Sequence, residues 1–120
     1  MEIKLKNLDG DGVLVVKGPQ VPVILNDAGG ANVTVNFSIS DGTHFHFPDG
    51  GPLKTEKTTV LPKGDFNCVV LVAAFNHGTF GSTYDSSVTI AGKVVATAKG
   101  TVSKADEFDS DIQAFVLKVS

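Results

Sequence analysis

The stretch Asn32 to Ser40 constrains the fold of this chain more than any other. Val33, Val35, Phe37 and Ile39 alternate there with Thr34, Asn36 and Ser38. An apolar residue at every second position puts all the apolar side chains on one face of an extended strand. The same period returns in Phe115, Leu117 and Val119, in Val88 and Ile90, and in Ile3 and Leu5. Three further runs are apolar at nearly every position: Val13 to Val16, Val21 to Leu25, and Cys68 to Phe75. The valines of the last run favour a strand over a helix, because β-branched side chains fit a pleated surface. Its continuous apolarity predicts a central strand buried on both faces. Pro22, inside the second run, predicts an edge strand or a strand start.

Turn signals separate these runs. They stand at Asp9-Gly10-Asp11-Gly12, Asp27-Ala28-Gly29-Gly30, Ser40-Asp41-Gly42, Pro48-Asp49-Gly50-Gly51-Pro52, Pro62-Lys63-Gly64-Asp65 and Asn76-His77-Gly78. Glycine supplies positive φ, and Asn and Asp bond back to the backbone. Ala91-Gly92 predicts a short hairpin between Ser87–Ile90 and Lys93–Thr97. Ser103 to Ser110 offers no apolar face and reads as a surface loop. Roughly eight to ten strands at about ten-residue spacing predict an all-β chain. The fold expected is an antiparallel β-sandwich, Ig-like or jelly-roll, with residues 1–120 as one domain.

Composition narrows the function. All ten basic residues are lysines, and the net charge is −3. Without arginine forks or a basic stripe, nucleic acid is not expected as a partner. The first residues alternate charged and apolar groups, so neither a signal core nor a membrane-inserting segment is read there. A cytoplasmic chain is the expectation, with a processed secreted chain as the alternative; the sequons at Asn32 and Asn36 carry weight only in the latter case. Cys68 is the single cysteine. In its apolar run it reads as a small buried hydrophobe rather than a nucleophile.

Two constellations are candidate sites. His44-Phe45-His46 puts two imidazoles on one face of a strand, which is half of a metal site. Asp41, Asp49, Glu56 and His77 are the further ligands to consider. The segment resembles the cupins, small β-barrel metalloproteins. His44 and His46 match their His-x-His pair, and Pro62-Lys63-Gly64 matches their later turn. The family's Glu is missing, and Asn67 stands at the position of its last His, so no cupin activity is carried over. The bland alternative is two histidines on a solvated strand face.

The second constellation is Asp106-Glu107-Phe108-Asp109-Ser110-Asp111. Clustered carboxylates in a loop suit a hard cation such as Ca²⁺. The segment resembles the calcium-dependent bacterial β-sandwich lectins of the fucose-binding type. In those an Asp-x-Asp loop feeds the last strand and holds calcium that ligates sugar hydroxyls. Asp109 and Asp111 match that spacing, while Gln113 and Ala114 replace the family's following Asn-Asp. A solvated turn whose charges discourage edge pairing is the bland alternative. Asn7 to Gly12 begins like an EF-hand loop, but Gly18 stands where the bidentate Glu belongs.

No catalytic motif emerges. There is no Gly-x-Ser-x-Gly elbow and no phosphate loop. The chain has eight Phe, one Tyr and no Trp. Tyr84 reads as a structural residue near a strand start. Phe45, Phe47, Phe80 and Phe108 fall in or beside expected loops, where joint exposure would mark an interaction patch. The leading expectation is a non-enzymatic binding module for a carbohydrate or protein. Its ligand site would comprise Asp106, Glu107, Asp109 and Asp111, with Ca²⁺ as the cofactor. Next comes a structural or self-assembling homo-oligomer joined through sheet edges or faces. Third is a small metalloprotein built on His44 and His46.

Overall fold

In the computed structural model, residues 1–29, 32–42, 45–46, 54–76, 83–102 and 107–120 are described. They form ten strands: β1 (Ile3–Leu5), β2 (Val13–Val16), β3 (Gln20–Gly29), β4 (Asn32–Ser40), β5 (Phe45–His46), β6 (Lys54–Val60), β7 (Gly64–Asn76), β8 (Thr83–Ile90), β9 (Lys93–Thr101) and β10 (Glu107–Val119). Two five-stranded sheets pack into a sandwich. The first has the order β1-β9-β8-β3-β6 and the second β2-β10-β7-β4-β5. All pairings are antiparallel except that of β2 with β10, so the second sheet is mixed, not antiparallel as expected. No hairpin joins β2 to β10, so loop geometry does not fix their relative direction.

The alternating strands behave as their period demands. Val33, Val35, Phe37 and Ile39 of β4 are buried, as are Phe115, Leu117 and Val119 of β10. These two strands flank β7 in one sheet, and the Phe37 and Phe115 rings stack over it with centroids 6.2 Å apart. Val21, Val23 and Leu25 of β3, with Val88 and Ile90 of β8, close the core from the other sheet. The β8–β9 hairpin forms around Ala91 (φ 51°) and Gly92 (φ 80°). Positive φ at both positions is the type I′ geometry that matches strand twist.

Four local expectations are corrected. Asp27, Ala28 and Gly29 continue β3 instead of turning, because they pair with Ser86, Asp85 and Tyr84 respectively. Residues 107–110 belong to β10 rather than a loop, because Glu107 reaches Asn76 in the ladder with β7. Pro22 lies in a strand flanked on both sides, by β6 and β8. The Pro22 carbonyl accepts from the Ala91 amide (2.9 Å), and in an antiparallel ladder its nitrogen faces the same way. The β8 ladder ends at Val23–Ile90, so the missing N–H falls where no strand partner needs it. Finally, β7 is central, but only its inner row is fully buried; Val69, Leu71, Ala73 and Phe75 are half-buried. The expected turn at 48–52 lies outside the described residues.

Strands β7 and β10 have 13 residues each. They set the 46 Å long axis of the molecule and give the second sheet a long outer face.

Candidate functional site

That outer face is built by two adjacent rows. In β10 the residues that alternate with the buried Phe115, Leu117 and Val119 point outward. Phe108 is 64% exposed and Ile112 59%. In β7 the outward row runs through Val69, Leu71 and Ala73. The register sets Ile112 beside Leu71, Ala114 beside Val69 and Phe108 beside Phe75. On the far side of β10, Val13 of β2 stands beside Val116, and Val15 beside Lys118. No described residue packs over these rows. The apolar part measures roughly 30 Å by 15 Å from strand geometry. On the order of 450 Å² is near the top of what a monomer leaves exposed.

Its borders are polar. The outward row of β4 is Asn32, Thr34, Asn36, Ser38 and Ser40, laid alongside β7. Formal charge on β7 and β10 is confined to one end of this face, where Asp65 and Lys118 are direct cross-strand partners. By contrast, the sheet edges are poor docking templates. β1 has three residues and β5 two. β6 carries Lys54, Glu56 and Lys57, and charged or short edges resist strand addition.

The carboxylates expected to hold calcium lie on the opposite side of β10. Asp109 and Asp111 share the inward row, at the end where β10 passes β1 and β8. The Asp109 Oδ1 accepts from the Met1 ammonium at 2.8 Å, and its Oδ2 accepts from the Tyr84 hydroxyl at 3.3 Å. The Asp111 Oδ2 accepts from the Ile3 amide at 2.7 Å. That bond holds the Asp111 carboxyl below its ordinary range. Both groups thus tie the two sheets together. Tyr84 is 3% exposed and lies directly over Gly100, where a Cβ would come 2.5 Å from its hydroxyl. The structural role expected of Tyr84 is observed, through a side-chain partner.

A buried carboxyl that sequence reasoning missed sits in the first sheet. Asp27 accepts from the Ser86 hydroxyl at 3.2 Å. Burial pushes its pKa up to about 6, and the Ser86 bond offsets only part of that. The Asp-Ala-Gly-Gly composition masked it as a turn. The readable signal was its place two residues beyond Leu25 in the inward row Val21, Val23, Leu25.

The remaining candidates are dispersed or lie outside the described residues. Asp106 and His44 are outside them, as are Phe47, Phe80, Asp49 and His77. Glu107 begins β10 beside Asn76. His46 pairs with Ile39 at the second sheet's edge. Among the described residues no three His, Cys, Asp or Glu side chains gather as a metal site. The Asp9 carboxylate accepts from the Asp11 and Val13 amides, closing the turn before β2. Cys68 is fully buried, and burial pushes its thiol up to about 12.

No family model, curated protein or solved structure matches this chain.

Proposed function

We propose that this protein is a non-enzymatic binding module that engages a protein surface through the outer face of its second sheet. The observation that carries this reading is the pairing of Ile112 with Leu71 and Ala114 with Val69, with Phe108 64% exposed further along β10, in one apolar band that no described residue covers. Bands of this size, rimmed by polar residues, mark interaction sites. The polar row of β4 provides such a rim, able to hydrogen-bond without charge. The buried, poorly ionised Cys68 thiol also favours binding over nucleophilic catalysis. The calcium-assisted carbohydrate version draws less support, because Asp109 and Asp111 already serve Met1, Tyr84 and Ile3.

A photo-crosslinking residue at position 112 tests the reading in the producing cells. It should give a discrete adduct that disappears when Leu71→Lys is added. The same probe at Thr58, on the outer face of the first sheet, should give none. If position 112 yields no adduct, the reading fails.

A further inference from the structure

We infer that the occupant of this face is a second copy of the same chain, packed sheet on sheet about a two-fold axis running along the strands between β10 and β7. The inference rests on the interaction-face reading and names its partner.

Shape, area and charge argue for it. A long sheet face is best covered by another sheet, as the inner faces of this protein already cover each other. Four strands of up to 13 residues present roughly 20 Å by 40 Å. This is close to the ~800 Å² per partner of a standard interface, with the apolar band at its centre and polar residues at its rim.

The charges choose the axis. A two-fold axis along the strands lays β10 of each copy over β7 of the other. Since Lys118 and Asp65 are cross-strand partners, Lys118 then lies over the partner's Asp65, and Asp65 over the partner's Lys118. Both side chains are exposed and free to meet at the rim. The same operation puts Ile112 over the partner's Leu71 and Ser110 over the partner's Ala73. A two-fold axis across the strands would instead press the charged end against the Phe108 end. That leaves two charges per copy desolvated against apolar surface. A crossing angle near −30° would shift these ends, about 20 Å from the pivot, by about 10 Å or two strand spacings, so the charge pairing requires the two sheets to pack closer to aligned.

Sedimentation equilibrium on the purified full chain tests this over a concentration series. The expected result is a reversible dimer. Leu71→Lys and Ile112→Lys should each raise the dissociation constant about 100-fold while circular dichroism and melting temperature stay close to wild type. K118D and D65K chains should each dimerise about tenfold more weakly, because each places like charges in register. An equimolar mixture of the two should form a heterodimer with near wild-type affinity, since every contact across the axis is again between opposite charges. Cross-strand pairing within one chain cannot produce that rescue.

A wild-type chain that stays monomeric to several hundred micromolar, on the order expected for weak association, overturns the dimer. So does a dimer indifferent to folded L71K and I112K, or a mixture that fails to heterodimerise. If the chain is monomeric yet position 112 captures a different protein in cells, the dimer fails and the interaction-face reading survives. If position 112 captures nothing, both fail.

Discussion

The outer face of the first sheet carries Lys4, Glu56, Asp85 and Lys99 among threonines and serines, with exposed Val60 and Val94 on non-adjacent strands, whereas the adjacent central strands of the second present Leu71, Ile112 and Phe108. The inner faces are contrasted in the opposite sense. The polar residues buried among the described ones are Asp27, Thr59 and Ser86, and all three belong to the first sheet. The first sheet is thus mostly polar outside and carries buried polar groups inside. The second is apolar inside except at the Asp109 and Asp111 end of β10, and keeps further apolar groups outside. A sheet in contact with water on one side should alternate apolar and polar residues. The first sheet's outer face meets that rule apart from Ile24, Val60 and Val94, and the second's does not, on the two strands that run the length of the molecule. Folding does not require the outer rows of β7 and β10 to be apolar, because their inner rows already supply the core. The proposed second copy would cover them.

The largest expected effect attacks that contrast directly. Leu71 and Ile24 are both half-buried outward residues on strands flanked on both sides. Leu71→Lys should weaken self-association about 100-fold. Ile24→Lys should leave it unchanged within about twofold, and each should cost no more than about 1 kcal/mol of stability. Equal effects from the two substitutions, read by sedimentation, would erase the distinction between the faces.

The next effect sharpens the inner half of the comparison. Asp27 has its pKa raised from 3.8 to about 6, so the fold favours its neutral form. The sign follows from linkage: stability is greatest below the unfolded-state value and falls as pH rises through the interval from 3.8 to about 6. Above that interval the penalty for the buried charge is complete. Asp27→Asn keeps a neutral partner for Ser86 and removes the titration. It should stabilise the protein by about 1–3 kcal/mol near pH 8 and by little near pH 3. Urea unfolding across that range checks it. Identical pH profiles for the two proteins would show that the Asp27 carboxylate is solvated.

How far these features could be read in advance depends on whether their cause is local. The two-residue period of Val33 to Ile39 and the Ala91-Gly92 turn depend on neighbours in sequence, and both appear as expected. The apolar run from Cys68 to Phe75 was equally visible, but the expected double burial requires a cover that the described residues do not supply on its outer side. Asp109 and Asp111 were legible as sharing a face, two residues apart. That their strand continues back to Glu107 depends on pairing with Asn76, and that they serve Met1, Ile3 and Tyr84 depends on packing between sheets. Neither dependence leaves a trace in local spacing. Pro22 misled for the same reason, since the length of β8 decides whether its missing donor matters.

A smaller effect separates stability of the first sheet from association by the second. Ala91 holds φ at 51° in the type I′ turn, a conformation that costs an alanine roughly 1 kcal/mol and suits asparagine. Ala91→Asn should therefore stabilise the protein by about 0.5–1 kcal/mol without changing the dimer constant. A gain in melting temperature accompanied by tighter association would mean that the two sheets are coupled, and the contrast between their faces would lose its independence.

The smallest expected effect concerns the groups that join the sheets. A cation that binds only the folded state must raise the melting temperature. For Ca²⁺ to use Asp109 and Asp111, it would have to displace the Met1 ammonium, the Tyr84 hydroxyl and the Ile3 amide, three donors already at 2.7–3.3 Å. The Met1 ammonium and the Ile3 amide would lose these acceptors while partly buried, which opposes the gain from the metal. Melts after EDTA, repeated with millimolar Ca²⁺, should therefore agree within about 1 °C. A calcium-dependent rise, lost in the D109N/D111N double variant, would move the binding function from the outer face to this end of the sandwich and reopen the lectin-like reading.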